Sequence, residues 1–176
     1  MHYDKITISG QICTGKTTLY KALEKNLGWQ TFSTGQFFRD YAAKHNLDLE
    51  AGEEQNEKIT KKIDYQVREL LKTKSQIIVE GWLAGIMAKD IAGVLKVLLV
   101  CDAKNRQQRF GKREQVSHKE AASRVKERDS SWLAEIKKIY NRADIFDPRH
   151  YDLIIDTTDQ EPAAILQQVL DIVQKN

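Results

Sequence analysis

The segment from Gly10 to Thr17 combines two glycines, a lysine and a hydroxyl residue in the pattern G-x-x-x-x-G-K-T. Glycines let backbone N–H groups turn towards phosphate oxygens, and a helix N-terminus behind them adds partial positive charge. Lys16 can reach the β- and γ-phosphates of a nucleotide, and the Thr17 hydroxyl can ligate Mg²⁺. We therefore predict a phosphate-binding loop, with Thr18 near the α-phosphate. It comprises Gly10, Gln11, Ile12, Cys13, Thr14, Gly15, Lys16 and Thr17.

The neighbouring sequence predicts the strand and helix that must position this loop. Residues 5–9 alternate as a strand does, and an apolar helical face follows Lys16 and ends at Gly28. Further strands are predicted at residues 29–33, 76–80, 94–100 and 151–155, and a last helix has Pro162 in its first turn. Strands separated by helices predict a parallel α/β sheet.

Length and composition limit the class of protein. The chain has 176 residues, 41% of them hydrophobic and 30% charged, which predicts a single domain over residues 1–176. Two cysteines are too few for a disulfide framework, and no apolar stretch is long enough for a membrane span. We expect a cytoplasmic protein with reduced thiols and no membrane partner.

Positive charge is concentrated in one segment. Residues 101–128 contain nine Lys and Arg against four Asp and Glu, although the net charge of the chain is only +3. This concentration predicts an anionic ligand there, the alternative being a solvated helix face. No Asn-Lys-x-Asp string is present to read guanine, which argues against a GTPase, and a large mechanical ATPase would need a longer chain.

Three further segments have the spacing of functional motifs: S-T-G-x-x-F-R from Ser33 to Arg39, E-G-x-L-A-G from Glu80 to Gly85, and R-x-x-R-x-x-x-R-E from Arg106 to Glu114. They resemble segments of nucleoside monophosphate kinases. Together with the tail at residues 151–157, they resemble most closely the cytidylate kinase-like family of short archaeal and bacterial chains, over essentially the whole sequence.

The resemblance implies a three-layer P-loop NTPase fold with a five-stranded parallel sheet in the order 2-3-1-4-5. Two helical insertions are expected: an acceptor-binding insertion at residues 36–75 and a lid at residues 103–130. The expected reaction is phosphoryl transfer from ATP, with Mg²⁺, to a nucleoside monophosphate. We expect a monomer without a stable nucleic acid partner.

The resemblance also assigns the acceptor side of the site. Arg39 would bind the acceptor phosphate, and the alternative is a surface arginine at a helix start. Asp64 would lie near the acceptor nucleoside, with a helix-surface carboxylate as its alternative. Glu80, with Thr17, would face the water shell of Mg²⁺. The expected acceptor-side residues are Ser33, Thr34, Gly35, Arg39, Asp64, Glu80, Gly81 and Trp82.

Four arginines of the basic segment complete the resemblance. Arg109 would lie against the donor adenine, and Arg113 would contact the transferring phosphates. Arg124 and Arg128, one helical turn apart, would close with the lid. Arg113, Arg124 and Arg128 are thus expected to join Lys16 in catalysis, although a solvated helical hairpin is the alternative.

Trp82 is the clear departure from the family pattern, which usually has arginine at that position. The indole would either stack on a base or simply pack. The expected acceptor is CMP or dCMP. The alternatives are another small molecule, a polynucleotide end, or a nucleotide-binding regulator with weak catalysis.

Overall fold

A five-stranded parallel sheet forms the centre of the protein, in the order β2-β3-β1-β4-β5. The structure, a computed structural model, describes residues 2–46 and 57–174. The strands are β1 (Lys5–Ser9), β2 (Gln30–Ser33), β3 (Ile77–Glu80), β4 (Val94–Val100) and β5 (Leu153–Asp156). This sheet confirms the predicted fold class and strand order, and it brings the carboxyl ends of β1, β3 and β4 to one edge.

Helices cover the sheet and extend beyond that edge. They are α1 (Lys16–Leu27), α2 (Thr34–His45), α3 (Glu57–Thr73), α4 (Ala84–Met87), α5 (Ala103–Glu114), α6 (His118–Tyr140) and α7 (Pro162–Gln174). None of them, within the described ranges, combines the length and apolarity needed to cross a membrane.

Apolar packing on both faces of the sheet makes the fold three-layered. Fully buried Ile6 and Ile8 of β1 belong to a cluster with Leu23 of α1 and Val169 of α7. A second cluster joins β3 to α3 and α4 on the other face; it contains Val67, Leu71, Ile77, Val79, Ala84, Ala88 and Val94. Burial on both faces explains why the central strands are almost continuously apolar.

The predicted strand starts need small corrections, the largest of them at β5. This strand begins at Leu153, two residues later than expected, because the preceding residues have other partners. The Tyr151 hydroxyl donates to the Ile145 carbonyl at 2.5 Å, and the Asp152 carboxylate accepts from the Lys96 N–H at 2.9 Å. Strands β2 and β3 each begin one residue later than predicted.

Helical segments occupy both positions where insertions are expected. Helix α3 lies within residues 36–75, and α2 begins two residues before that range; residues 47–56 are outside the described residues. Helices α5 and α6 form the hairpin expected at 103–130, joined by residues 115–117. Helix α6 continues past this range to Tyr140, so its second half packs beside α2 and α3 rather than in the hairpin.

Candidate active site

The phosphate-binding loop takes a backbone course that depends on its glycines. Gly10 has φ +150°, and a Cβ there would lie 2.5 Å from the Leu99 carbonyl oxygen of β4. Gly15, with φ +94°, turns the chain into α1. The loop therefore opens the helix directly above the end of β1, as its motif predicts.

Lys16 folds back over the loop. Its Nζ donates to the Gln11 carbonyl at 2.8 Å, and the Thr14 hydroxyl donates to the same oxygen at 3.0 Å. Only 9% of Lys16 is exposed, and burial lowers the pKa of its ammonium group to about 8 although the nearby Glu80 carboxylate opposes the shift. The loop thus holds a partly desolvated cation ready for an anion.

Glu80 ends β3 beside the loop and organises two hydroxyl groups. Ser33, which caps α2, donates to its carboxylate at 3.0 Å, and the Thr17 hydroxyl lies 3.4 Å from the same oxygen. Among the described residues, no group of three or more His, Cys, Asp or Glu could hold a metal ion. Mg²⁺ in phosphate sites needs only one or two protein ligands, because phosphates and waters supply the rest. The Thr17 and Glu80 pair fits that requirement.

A cavity of about 780 Å³ extends from the loop across the sheet edge. Its volume lies within the usual range for small-ligand sites. The lining consists of Ile12, Cys13, Gly15, Lys16, Thr17, Thr18, Thr34, Gly35, Arg39, Glu80, Gly81, Trp82, Arg109, Arg113, Glu114, Arg124 and Arg128. Most of the predicted residues therefore meet in one place. Gly10, Gln11 and Thr14 shape the loop instead, and Ser33 stands behind Glu80.

Arg109 is held at the floor of this cavity. Its guanidinium donates to the Thr157 hydroxyl at 3.1 Å and to the Thr157 carbonyl at 2.5 Å, just after β5. It also reaches the Cys13 carbonyl of the loop at 3.4 Å. A planar guanidinium fixed in this way offers a flat face to a ligand.

Arg113 and Arg124 flank a buried aromatic ring. Their guanidinium carbons lie 5.2 and 5.1 Å from the centroid of the fully buried Phe110 ring. Cation–π contact of this kind restrains the two arginines at the cavity wall, where Arg113 also donates to the Glu114 carboxylate at 2.7 Å and Arg124 lies 3.6 Å from the Glu120 carboxylate. Phe110 packs with Ile12 of the loop, so loop and helical hairpin share one apolar contact.

A buried ion pair beneath the loop was missed by sequence reasoning. Arg106 of α5 donates to Asp129 of α6 at 2.7 Å and to the Ile12 carbonyl at 3.2 Å, while Gln11 donates to Asp129 at 3.2 Å. The sequence offered one signal for Arg106: it lies three residues before Arg109, so the two side chains are on nearly the same face of α5. The pair ties both hairpin helices to the phosphate loop.

The acceptor-side residues lie opposite the loop. Arg39 is exposed, its guanidinium lies against Gly35, and it donates to the Gln36 carboxamide at 2.8 Å. The Thr34 hydroxyl donates to the Glu80 carbonyl at 3.3 Å, packed against Gly81. These contacts place Arg39 at the mouth of the same cavity.

A smaller cleft, here called the aromatic slot, continues from the cavity beneath Trp82. It measures about 60 Å³ and is lined by Thr34, Gly35, Phe38, Thr60, Asp64, Trp82, Leu83, Arg128, Trp132 and Ile136. Trp82 packs 6.1 Å from the Trp132 ring and 5.4 Å from the Phe146 ring, measured between centroids. Trp132, which sequence reasoning did not single out, comes from the part of α6 beyond the predicted lid.

Asp64 lies at the bottom of the slot rather than on the helix surface. The Tyr140 hydroxyl donates to its carboxylate at 2.7 Å. Burial raises the pKa of Asp64 to about 6, and the Tyr140 hydrogen bond only partly offsets that shift. A carboxylate kept at such an energetic disadvantage is a common feature of ligand sites.

The model of the cytidylate kinase-like family matches residues 5–159. The chain belongs to the cytidylate kinase-like family. Among curated members, it is 34% identical to the cytidylate kinase of Sulfurisphaera tokodaii, covering 91% of this chain and 89% of that one. It is 31% identical to the cytidylate kinase of Thermoplasma volcanium, covering 97% and 92%.

Solved structures resemble this family member in fold. An uncharacterized protein from Eubacterium ventriosum superposes with a TM-score of 0.75 at 15% identity, over 98% of this chain and 99% of that one. A gluconokinase from Sinorhizobium meliloti gives 0.67 at 12% identity, over 99% and 94%. At these identities the likeness concerns the P-loop kinase fold alone.

We expect removal of Asp129 to weaken both the fold and ATP binding in this family member. Asp129→Ala leaves Arg106 buried without its counter-charge, which should cost about 3 kcal/mol of unfolding free energy. Urea denaturation and the KM for ATP measure the two effects. Glu69→Ala, which removes only the exposed pair with Lys72, is the control and should cost less than about 1 kcal/mol. An Asp129→Ala protein as stable as that control would contradict the prediction.

Asp64→Asn should stabilise the protein at neutral pH. The pKa of Asp64 in the folded protein, about 6, exceeds the usual 3.8, so its contribution to stability is fullest below pH 4 and is lost as pH rises through 6. Removing the ionisable group should raise the unfolding free energy at pH 7.5 by up to about 3 kcal/mol, while Tyr140 keeps an acceptor. Denaturation at pH 7.5 and pH 4 tests this, because the gain must vanish at the lower pH.

Proposed function

We propose that the protein transfers the γ-phosphoryl group of ATP to a nucleoside monophosphate, CMP or dCMP, giving ADP and the nucleoside diphosphate. The observation that carries the proposal is the cavity that joins the phosphate loop to Arg39, together with the adjoining aromatic slot, which shares Trp82 and Arg128 with it. Two anionic ligands bound at its ends would place donor and acceptor phosphates together. The cytidylate kinases among its relatives support the choice of acceptor.

Catalysis in this proposal consists of positioning and charge stabilisation. The acceptor phosphate is already an anion, so the site needs no strong general base. Lys16 would follow the transferring phosphoryl group, and Arg39 would hold the acceptor phosphate with two parallel hydrogen bonds. Displacement of the Gln11 carbonyl by phosphate would free the Lys16 ammonium for this task.

Mg²⁺ would be held by the Thr17 hydroxyl, with Glu80 ordering its water ligands. When bound, the ion neutralises charge on the β- and γ-phosphates. Ser33 donates to Glu80 and caps α2, so the same carboxylate links the metal position to the helix that carries Arg39. The donor set is small because the substrate itself supplies oxygen ligands.

The hairpin of α5 and α6 would act as the lid. Arg113, Arg124 and Arg128 line the cavity on its far side and would stabilise the charge of the transferring group. Closure would also exclude water, which would otherwise hydrolyse ATP. Arg109, fixed on Thr157, would present its guanidinium face to the adenine.

The setting of the proposed activity follows from its substrates. ATP and nucleoside monophosphates are metabolites of the cytoplasm, so we place the activity there. Donor, acceptor and lid residues all come from one chain, so a monomer suffices for the reaction. The positive charge of Lys16 and the arginines in the cavity suits small phosphate-bearing ligands. We therefore expect no stable nucleic acid partner.

The identity of the acceptor can be tested by measuring which monophosphate stimulates ADP release. We expect CMP or dCMP to stimulate ADP release from ATP·Mg²⁺ well above UMP, AMP, GMP and dTMP. Lys16→Ala, which keeps the loop glycines, should lower kcat by roughly 10³-fold or more with little change in thermal stability. ATP binding without stimulation by any monophosphate would favour a different acceptor or a regulatory role. A Lys16→Ala protein of near-native rate would remove Lys16 from the mechanism.

Arg39→Ala should raise the KM for the acceptor by about tenfold to a hundredfold, because a charge-assisted contact to phosphate is lost. The KM for ATP should change less than about threefold, since Arg39 lies at the opposite end of the cavity. Lys44→Ala, an exposed cation on the same helix, is the control and should behave as wild type. A change confined to the KM for ATP would contradict the assignment of Arg39.

A further inference from the structure

Thr157, the residue after β5, lies where the sheet, the phosphate loop and α5 meet. It is fully buried. Its backbone N–H donates to the Val100 carbonyl at 2.8 Å, and this bond ties the end of β5 to the end of β4. The main chain alone therefore makes the contact that the sheet needs, and the side-chain hydroxyl serves the other two elements.

The Thr157 hydroxyl donates to the phosphate loop. A hydroxyl carries one proton, and two carbonyl oxygens lie within reach, that of Thr14 at 2.9 Å and that of Val100 at 3.2 Å. The Val100 oxygen already accepts the Thr157 N–H, so the closer Thr14 oxygen is the better acceptor. The Thr14 hydroxyl in turn donates to the Gln11 carbonyl, which also accepts from Lys16. Thr157 thus supports the chain of contacts that holds the Lys16 ammonium group.

The same hydroxyl accepts from Arg109 of α5. Arg109 Nη1 donates to the Thr157 hydroxyl at 3.1 Å, and Nη2 donates to the Thr157 carbonyl at 2.5 Å. Its contacts with the Cys13 carbonyl and the Cys101 sulfur are longer, each 3.4 Å. A planar guanidinium that binds two oxygens of one residue has little freedom to rotate. Thr157 therefore sets the orientation of the Arg109 guanidinium.

One hydroxyl that accepts from Arg109 and donates to Thr14 couples the two contacts. An N–H donated by a cation polarises the O–H group and strengthens the bond that the hydroxyl itself donates. Arg109 and the loop residues line the same cavity, so a single ligand can contact both ends of this chain. Thr157 itself is not among the lining residues, so it acts on such a ligand only through its two partners.

We propose that Thr157 is a positioning residue for the donor nucleotide. Its hydroxyl fixes Arg109 relative to the phosphate loop, so the donor base and the phosphates attached to it are bound by one preorganised unit rather than by two independent sites. The inference rests on the proposed function, in which Arg109 lies against the adenine. The advantage of ATP over a triphosphate without a base should therefore depend on the Thr157 hydroxyl.

Thr157→Val tests this role because it removes the hydroxyl at nearly constant shape and keeps the main-chain contacts. In calorimetric titrations with Mg²⁺, the Kd for ATP should rise about tenfold, the effect of one lost hydrogen bond to a charged group. The Kd for inorganic tripolyphosphate, which has no base, should change less than about threefold. Thr157→Ser should restore ATP binding. Thr7→Val also removes a fully buried hydroxyl, one without a partner among the described residues, and as the matched control should leave both constants unchanged.

A double-mutant cycle with Arg109 separates positioning from support of the fold. In the Arg109→Ala background, Thr157→Val should change the Kd for ATP less than about twofold, because the side chain that Thr157 positions is already absent. A Thr157 that only supports the fold would weaken ATP binding by the same factor in both backgrounds. Thermal denaturation of each variant establishes that it is folded.

The outcomes separate this inference from the proposed function. An unchanged Kd for ATP in folded Thr157→Val, equal losses for ATP and tripolyphosphate, or additive effects in the cycle would each overturn the positioning role, even if the wild-type protein phosphorylates CMP. The expected losses without acceptor-dependent ADP release would uphold the positioning role and overturn the proposed function. If Thr157→Val does not fold, Thr157→Cys, whose thiol is a weak hydrogen-bonding group, takes its place and must show the same selective loss.

Discussion

The Lys16 ammonium group lies almost buried against the Gln11 carbonyl, and much of the surrounding structure serves to keep it charged there. Burial lowers its pKa to about 8, and the Glu80 carboxylate opposes the shift. That carboxylate stands at the end of β3, next to β1 in the sheet, so the strand order itself sets the distance between the two charges. The Ser33 and Thr17 hydroxyls then hold Glu80 from two further elements. An incoming phosphate would replace weak carbonyl contacts by full charge pairing.

The two ends of the cavity solve different recognition problems. The phosphate end offers backbone N–H groups and arginines. Such groups would bind any triphosphate, so they would contribute affinity rather than specificity. The aromatic slot combines flat rings with only a few polar groups. In the proposed function, small differences at the edge of a base would therefore strongly change how well the base binds. Burial raises the pKa of Asp64 to about 6, so its ionised carboxylate lowers the stability of the fold at neutral pH. Such an imbalance is understandable in a binding site and hard to justify in a core.

Local sequence signals predict the phosphate end well because its parts are adjacent in the chain. The loop, the strand before it and the helix after it occupy residues 5–27, and alternation and motif spacing define them. The sequence did not predict the Arg106–Asp129 pair, because its two residues are 23 positions apart and meet only when two helices pack together. Thr60, which lines the slot, was not predicted for a related reason. A threonine on a polar helix carries no signal until the slot around it is formed by α2, α6 and the residues after β3.

Helix α6 gives the two ends a common mechanical element. Its first half carries Arg124 and Arg128 to the wall of the cavity, and its second half carries Trp132 and Ile136 into the slot. One turn further, Tyr140 bonds to Asp64. The helix is continuous from His118 to Tyr140, so in the proposed reaction a rotation that brings Arg128 towards bound phosphates would also shift Trp132 in the slot. An acceptor bound in the slot would therefore contact the same helix that we propose closes over ATP, because packed helices move as rigid units rather than bending residue by residue.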